Sequence, residues 1–384
     1  MDMVVQYDGM HTADGLYRLH APCCLAASLH WANESGALPN FTALAYVPLD
    51  SFGNGAYRLR GGRGIPQAAT HIQIRTVTPD FTLAEERLFP IPETQKDSER
   101  PHDVRFCVMS DLHLAAKPGR IRRALKMAGR ADCILLPGDL TNDASPEHFR
   151  QLRSLIEEEC GQTPVLAVSG NHDWPPKTMS FLSVWRDFQH ELLRRAQTLG
   201  AAVLEDESGA YAAAFRGVSI YGLNCATNFG CFDFLGGQQL TRLDEWLEAD
   251  TSAYPRLILC HAPLAMHNPL RTPGDGKPPY FNMDGVLQEI LDRRGRCVFL
   301  SGHTHISLNE PKGCVERDEA HRNLYVNDSS VCPTTFREKE TLSEPAWTDG
   351  AMVWMDVGRD QIALNGQTIS SQKWIARGCY RVDL

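Results

Sequence analysis

Residues 164–174 read PVLAVSGNHDW, an apolar run that passes directly into a turn with polar side chains. The run 164–168 has the continuous hydrophobic character of a strand buried on both faces. The segment 170–173, Gly-Asn-His-Asp, supplies residues that form turns and residues that bind metals or substrates. Whether it is an ordinary turn or a ligand-bearing one depends on how the other strands of the chain end.

Four further predicted strands end in the same way. The apolar runs 104–109, 133–136, 257–260 and 297–300 are followed by Ser110-Asp-Leu-His113, Pro137-Gly-Asp139, His261-Ala-Pro263 and Ser301-Gly-His-Thr-His305. In open α/β sheets, ligands bind just outside the carboxyl ends of the strands. We therefore expect these five distant clusters to meet at one rim.

The residue types in these clusters indicate a metal site. Imidazole and carboxylate groups together suit first-row ions such as Zn²⁺, Mn²⁺ and Fe²⁺. Asp111 and His113 alternate along an extended segment and so share one face. A glycine before Asp139, Asn171 and His303 would let the backbone turn sharply and come close to the ions. Seven such side chains exceed the needs of one ion and favour two ions bridged by a carboxylate.

The ordered set Asp111-Leu-His113, Gly138-Asp139, Gly170-Asn-His-Asp173, His261 and Gly302-His-Thr-His305 resembles the calcineurin-like metallophosphoesterase superfamily, over about residues 103–330. The resemblance implies an α/β fold, a four-layer α/β/β/α sandwich, with two divalent or trivalent ions of Mn, Fe or Zn. By position, one ion would be bound by Asp111, His113, Asp139 and His305. Asp139 would bridge to a second ion, held also by Asn171, His261 and His303.

The resemblance also implies a catalytic residue that is not a metal ligand. His172 would face the substrate phosphate, where it could hydrogen-bond an oxygen or protonate the leaving group. We add the hypothesis that Asp173 is a second catalytic residue, which would orient or charge-stabilise the imidazole of His172 as carboxylates behind a ligand do. The two ions would supply the attacking hydroxide.

Departures from related groups narrow the substrate class. Protein phosphatases of the superfamily carry Gly-Asp-x-Val-Asp-Arg-Gly, whereas residues 138–143 read Gly-Asp-Leu-Thr-Asn-Asp, without the arginine. Purple acid phosphatases need a tyrosine three residues after the aspartate that corresponds to Asp139, and Asn142 occupies that position here. The motifs are closest to the class III cyclic-nucleotide phosphodiesterase-like group. We therefore expect hydrolysis of a small, nucleotide-type phosphodiester. The alternative is a phosphomonoesterase acting on a small molecule or a phosphoprotein.

The organisation of the chain separates an accessory region from the catalytic one. Residues 1–90 hold short alternating runs between Gly, Pro and Asn clusters, which predicts a small all-β domain similar to a β-sandwich. Residues 91–102 are polar and contain prolines, as is typical of a linker. Residues 103–384 alternate strands and helices and form the predicted metallophosphoesterase domain.

Composition limits the partners and the compartment. The net charge of −9 provides no global basic field, which disfavours a nuclease and nucleic-acid binding, and no metal ligand is lost, which disfavours a non-catalytic scaffold. No apolar run reaches the ~18–20 residues of a membrane span, and no signal peptide is apparent. The twelve cysteines show no CxxC spacing, which predicts a cytoplasmic protein. Two aromatic loops, 226–236 and 267–282, are predicted either to wall the pocket or to pack on the domain. The oligomeric state stays open.

Overall fold

The computed structural model describes residues 3–8, 15–59, 65–91, 103–115, 118–174, 181–225, 238–264, 267, 285–305, 308, 315–332 and 349–384. The chain divides into two compact units. The first comprises Met1–Pro101, Ala363–Gln367 and Gln372–Val382. The second comprises His102–Ile362, Thr368–Ser371 and Asp383–Leu384.

The first unit contains two antiparallel sheets built from short strands. One sheet consists of β1 (Val4–Asp8), β2 (Gly15–His20) and β6 (Asn54–Leu59). The other contains β3 (Ala26–Asn33), β4 (Gly36–Ala37), β5 (Ala45–Pro48), β7 (His71–Val77) and β8 (Leu83–Pro90). Alternate residues such as Leu29, Trp31, Ile72 and Ile74 are fully buried in its core. The predicted all-β character of the N-terminal region is confirmed.

Residues near the end of the chain belong to this first unit. The N–H of Trp374 donates to the carbonyl of Asn40 at 2.7 Å, and its own carbonyl accepts from the N–H of Thr42 at 2.9 Å. The guanidinium Nε of Arg377 donates to the carbonyl of Leu44 at 2.7 Å, and Ala376 lies in the core of the unit. The predicted boundary placed these residues in the catalytic domain; the division into 1–90, 91–102 and 103–384 stays a prediction.

The first sheet of the second unit carries three of the five ligand-bearing turns. Strands β9 (Val104–Val108), β10 (Cys133–Pro137) and β11 (Val165–Val168) are parallel, and β19 (Ala351–Val357) pairs antiparallel with β9. Three helices accompany them: α1 (Gly119–Ala128), α2 (Pro146–Cys160) and α3 (Phe181–Thr198). Helix α2 begins after Ser145, whose hydroxyl accepts the N–H of His148. Proline in the first turn of α2 suits its start.

The second sheet of this unit carries the other two turns. Its order is β12 (Ala202–Glu205), β13 (Tyr211–Phe215), β14 (Val218–Leu223), β15 (Arg256–Cys260), β16 (Cys297–Ser301), β18 (Asn323–Asn327) and β17 (Val315–Asp318), with β14, β15, β16 and β18 parallel. Helices α4 (Gln238–Ala249) and α5 (Val286–Arg294) bury Leu243, Leu287 and Leu291 against Ile258 and Phe299. Strands β10 and β11 contact β14 and β15 across the sheets. The predicted four-layer α/β fold is confirmed.

Strands β20 (Gln361–Thr368) and β21 (Trp374–Asp383) follow β19 along the chain, and most of their residues belong to the first unit. Among the residues that the structure describes, no helix is both long and apolar enough to cross a membrane. The predicted cytoplasmic location stays a prediction. The two aromatic loops lie outside the described residues, except for His267, whose ring stacks on Tyr325 at 3.5 Å between centroids.

The close pairing of β13 and β14 yields a prediction about stability. Gly222 lies opposite Tyr211, and a Cβ added to Gly222 would collide with the fully buried tyrosine ring. We expect Gly222→Ala to lower the free energy of unfolding by about 1–3 kcal/mol, because an overpacked core must shift. Urea denaturation measures this value.

Gly119→Ala is the matched control, since a Cβ there meets no atom within 4 Å at the start of α1. The control should be neutral or stabilise the protein by up to about 1 kcal/mol, as alanine does in helices. Equal stability of Gly222→Ala and wild type would contradict the packing described.

Candidate metal centre

The centre lies where five turns of the second unit meet. Each turn follows one of the parallel strands β9, β10, β11, β15 and β16. Two groups of side chains there offer ligand atoms that all lie within 4.8 Å of one another: Asp111, His113 and His305 form one, and Asp139, His261 and His303 form the other. The structure thus brings together six of the seven side chains that the sequence nominated as metal ligands.

Asp111 is the acidic residue of the first group. Its Oδ1 lies 3.1 Å from Nε2 of His305 and 3.7 Å from Nε2 of His113. Its Oδ2 accepts the backbone N–H of His303 at 3.0 Å and the hydroxyl of Ser110. Burial opposes ionisation of the carboxyl, but the imidazole of His305 and the hydrogen bonds hold its pKa well below the usual range. The two oxygens therefore have different roles: Oδ2 is bound by the protein and Oδ1 faces the imidazoles.

Asp139 lies between the two groups. Its Oδ2 is 3.1 Å from Nε2 of His261 and 3.8 Å from Nε2 of His113, so one carboxylate faces an imidazole of each group. Its Oδ1 accepts the backbone N–H of His172 at 2.8 Å. Burial opposes ionisation, yet His261 lowers the pKa of Asp139 below its ordinary value. A bridging carboxylate needs this position between two ligand sets.

The histidines present nitrogen atoms towards these carboxylates. His261 is fully buried, and its Nδ1 lies 2.9 Å from the carbonyl of Pro137. Because a carbonyl only accepts, Nδ1 carries the proton and Nε2 is left to bind a metal ion. The Nε2 atoms of His113 and His305 are 3.2 Å apart, and their rings stack with centroids 5.0 Å apart.

The unsatisfied atoms of the centre fit a metal ion. Among the described residues, Asp111 Oδ1, Asn171 Oδ1 and His261 Nε2 are buried and find no hydrogen-bond partner. Such atoms are costly in a folded protein unless something occupies them. Carboxylate oxygen, amide oxygen and imidazole nitrogen are all metal ligands. The donor set of this structure therefore suits first-row metal ions.

The backbone at the ligands differs from the extended segments that the sequence suggested. The predicted ligands Asp111, His113, Asp139, His303 and His305 all have positive φ, between 45° and 70°. Left-handed conformations of residues other than glycine cost of the order of 1–2 kcal/mol and cluster at functional sites. The prediction that Asp111 and His113 share a face through strand alternation is wrong, because the chain turns at each ligand. Backbone bonds stabilise the turn, since Asp111 and His113 donate to the carbonyls of Gly138 and Asp139 at 3.0 Å.

The three predicted glycines serve two different purposes. Gly138 has φ +87°, so it does let the backbone turn. Gly170 and Gly302 do not adopt positive φ; they are needed because a Cβ would collide with neighbouring polar groups. At Gly170 the group is the carboxylate of Asp139, and at Gly302 it is the hydroxyl of Ser110. Glycine is therefore required at Gly170 and Gly302 because no larger residue fits beside a buried carboxylate, and not because of its backbone freedom.

His172 lies at the exposed edge of the centre. Its ring contacts that of His113 edge-on, with centroids 4.7 Å apart. Its Nδ1 lies 3.0 Å from the carbonyl of Asn142, so Nδ1 donates and Nε2 is left for another group. His172 also lies within ligand distance of His113 and Asp139. Its predicted role towards the substrate stays a prediction.

Asp173 does not contact the imidazole that it was predicted to orient. Its fully buried carboxylate accepts the backbone N–H groups of Gly170, Leu140 and Thr141, at 2.9–3.1 Å, and the Thr141 hydroxyl at 3.1 Å. Burial and the charge of Asp139 raise its pKa to about 6. The physical reason for the difference is that the single helical turn 171–173 directs Asp173 inwards and His172 outwards. Asp173 therefore ties the second ligand turn to the third.

This arrangement predicts a large structural cost for removing the Asp173 carboxylate. In Asp173→Ala, three buried N–H groups would lose their acceptor, each worth about 1–3 kcal/mol when left unsatisfied. We expect the free energy of unfolding to fall by about 3–5 kcal/mol in urea denaturation of the metal-free protein.

Asp143→Ala is the control, because the Asp143 side chain is 54% exposed and its carboxylate binds the N–H of Ser145 and the ring of His148 at the surface. Its loss should cost at most about 1 kcal/mol. If both variants lost the same small amount, Asp173 would not tie the two turns together.

Comparison with known proteins agrees with this geometry. Residues 104–307 match the family model of the calcineurin-like phosphoesterases. A probable cyclic nucleotide phosphodiesterase of Synechococcus sp. is 26% identical over 263 residues, which cover 65% of this chain and 91% of the relative. The purple acid phosphatase from yellow lupin (Lupinus luteus) seeds shares the fold, with a TM-score of 0.50 and 14% identity over 99% of this chain and 74% of the other.

The family match spans more than half of the chain and includes all five turns that converge in the structure. The cyclic-nucleotide phosphodiesterase relative agrees with the subgroup that the motifs indicated. The chain belongs to the calcineurin-like phosphoesterase family and is a metal-dependent phosphoesterase.

Proposed function

We propose that this enzyme hydrolyses a small phosphodiester of the nucleotide type at a centre of two metal ions. The observation that carries the proposal is the position of Asp139, whose Oδ2 faces His113 of one ligand group and His261 of the other. Asp111, His113, Asp139 and His305 would hold one ion, and Asp139, Asn171, His261 and His303 the other. When bound, such ions polarise the phosphoryl group and supply a hydroxide near neutral pH.

The residues of the chain position the substrate around these ions. The exposed imidazole of His172 is anchored through Nδ1 on the carbonyl of Asn142. Its Nε2 would donate a hydrogen bond to a phosphate oxygen or a proton to the departing oxygen. General acids of this kind contribute roughly 10²–10⁴-fold to the rate. Asp173 would act indirectly, by tying the turn of His172 to that of Asp139.

The preference for a diester rests on charge. A phosphomonoester dianion carries one more negative charge than a diester, and arginine is the side chain that binds such groups in a bidentate manner. Residues 138–143 supply no arginine beside the centre. The relative from Synechococcus sp. is named for a diester substrate, which also favours this class.

The metal requirement gives the first test of the function. The protein is stripped with a chelator, and Mn²⁺, Fe²⁺ or Zn²⁺ is added back. We expect at least one metal to restore hydrolysis of bis(p-nitrophenyl) phosphate and of a cyclic nucleotide, at a higher kcat/KM than for p-nitrophenyl phosphate. His303→Ala should lose the activity, since it removes a ligand of the bridged pair.

His190→Ala is the control for His303→Ala, because His190 is an exposed histidine bound to Glu205. It should behave like wild type. Higher kcat/KM for the monoester would establish the phosphomonoesterase alternative. Equal activity of His303→Ala and wild type would overturn the two-metal assignment.

The role of His172 has a separate test. We expect His172→Ala to lower kcat by about 10²–10⁴-fold while the protein retains both metal ions, as measured by elemental analysis. His148→Ala, which alters a histidine paired with Asp143 at the surface, serves as the control. Loss of a metal ion from His172→Ala would instead make His172 a ligand, in keeping with its distance from His113 and Asp139.

A further inference from the structure

A second buried carboxyl group lies behind the metal centre, outside the ligand set. Asp328 follows β18, which is parallel to the ligand-bearing strand β16. Its side chain is fully buried, and its backbone N–H donates to the carbonyl of Ser301 at 2.9 Å. Its Oδ1 lies 2.7 Å from the hydroxyl of Ser110, and its Oδ2 meets no hydrogen-bond partner in the part of the chain that the structure describes. Burying a carboxyl group with so few hydrogen bonds costs free energy, so its presence here needs a functional explanation.

Ser110 connects this carboxyl group to a predicted metal ligand. The fully buried hydroxyl of Ser110 also contacts Oδ2 of Asp111. A serine hydroxyl has one proton and can accept others. It can therefore donate to Asp111 and accept from a protonated Asp328. Burial and the charge of Asp111 raise the pKa of Asp328 well above its ordinary value, which agrees with this direction.

The contacts of Asp111 show what the connection achieves. Oδ2 is bound twice, by the Ser110 hydroxyl and by the N–H of His303 at 3.0 Å. Oδ1 has no hydrogen-bond partner within the described ranges and faces His305 at 3.1 Å. With Oδ2 held from behind, the carboxylate cannot rotate without losing both bonds. The oxygen directed at the ligand group is therefore fixed.

The backbone after Asp328 reinforces the same place. The N–H of Val331 donates to the carbonyl of Ser110, and the N–H of Cys332 to that of Asp111, both at 3.1 Å. Gly302 completes the enclosure, because any larger residue there would collide with the Ser110 hydroxyl. The pair of Ser110 and Asp328 thus lies in a closed space without water-exposed surface.

We propose that Asp328 is a positioning residue that acts through Ser110 to hold Asp111 Oδ2 and to present Oδ1 to one of the two metal ions. The proposal rests on the proposed two-metal function, but it concerns binding of the ion rather than hydrolysis. Outer hydrogen bonds of this kind are worth about 10–100-fold in metal affinity. The affected ion is the one held by Asp111, whereas the ion held by Asn171, His261 and His303 keeps its ligands.

The test measures Mn²⁺ binding to the chelator-stripped full chain, without substrate. In Asp328→Leu and in Ser110→Ala, we expect the Kd of one of the two Mn²⁺ sites to rise by about 10–100-fold. The other site should stay within about threefold of wild type. Asp328→Asn should restore the affinity to within about threefold, because its amide can donate to the Ser110 hydroxyl.

A double variant separates positioning from general damage. If Asp328 acts only through Ser110, Asp328→Leu combined with Ser110→Ala should bind Mn²⁺ no more weakly than the worse single variant. Losses that multiply would overturn the relay. Ser219→Ala is the matched control, since it removes a serine–aspartate bond, to Asp250 at 3.1 Å, away from the centre. It should leave both Kd values unchanged.

Several outcomes would overturn the inference, and they differ from those that would overturn the function. If wild type binds two Mn²⁺ ions and Asp328→Leu binds them equally well, the positioning role is wrong and the proposed function stands. If wild type binds none of the three metals, both fail. If the leucine variant does not fold, Ser110→Ala decides alone: wild-type affinity in that variant refutes the relay, and selective loss at one site supports it.

Discussion

The structure depends on the burial of two carboxylates, Asp111 and Asp139, beside one another and away from water. An ionised carboxyl group in such a place needs a positive partner or strong donors. In the protein without ions, the imidazoles are these positive partners. Burial lowers the pKa of His113 and His261, yet the nearby carboxylates raise both pKa values above the ordinary value. A metal ion in the same place would supply the positive charge directly and return the imidazoles to the neutral form that binds metals. The burial of these two carboxylates thus explains both the metal dependence of the family and the raised pKa values of the imidazoles.

Backbone strain adds to the cost of this burial, since five of the predicted ligands adopt left-handed conformations. Hydrogen bonds from polar side chains behind these turns offset this cost. Asp173 binds the N–H groups of two turns, and Asn224 binds the N–H of Ser169, directly before the third turn. Asn224 is itself held by Gln189 and Gln239 in a buried amide network. Networks of this kind are stable only when fully satisfied, so the ligand turns are tied to α3 and α4 as well as to the strands.

Much of the second unit could be predicted from the sequence, because its parallel strands are continuous apolar runs and its ligands follow them at once. The rule that ligands gather at strand ends connected Asp111 to His305 across 194 positions without any knowledge of their contact. The same rule, applied to the apolar run of β18, would have directed attention to Asp328. Contacts such as those of Asp173 and Ser110 could not be predicted, since they depend on which way a turn directs its side chains. Helix α5 is only nine residues long, so its apolar residues Leu287, Ile290 and Leu291 give only a short periodic pattern.

The first unit combines early and late residues of the chain, which affects how it folds during synthesis. Its core includes Ala376, and its loop at Asn40–Leu44 receives hydrogen bonds from Trp374 and Arg377. Roughly 270 residues separate these partners from the end of the N-terminal segment at Pro101. At synthesis rates of about 5–20 residues per second, that interval lasts roughly 15–55 s. During this time part of the core of the N-terminal strands stays exposed, while the second unit is still being synthesised. The segment up to Pro101 is therefore translated before the second unit but completed after most of it, an order that makes chaperone contact valuable for that segment.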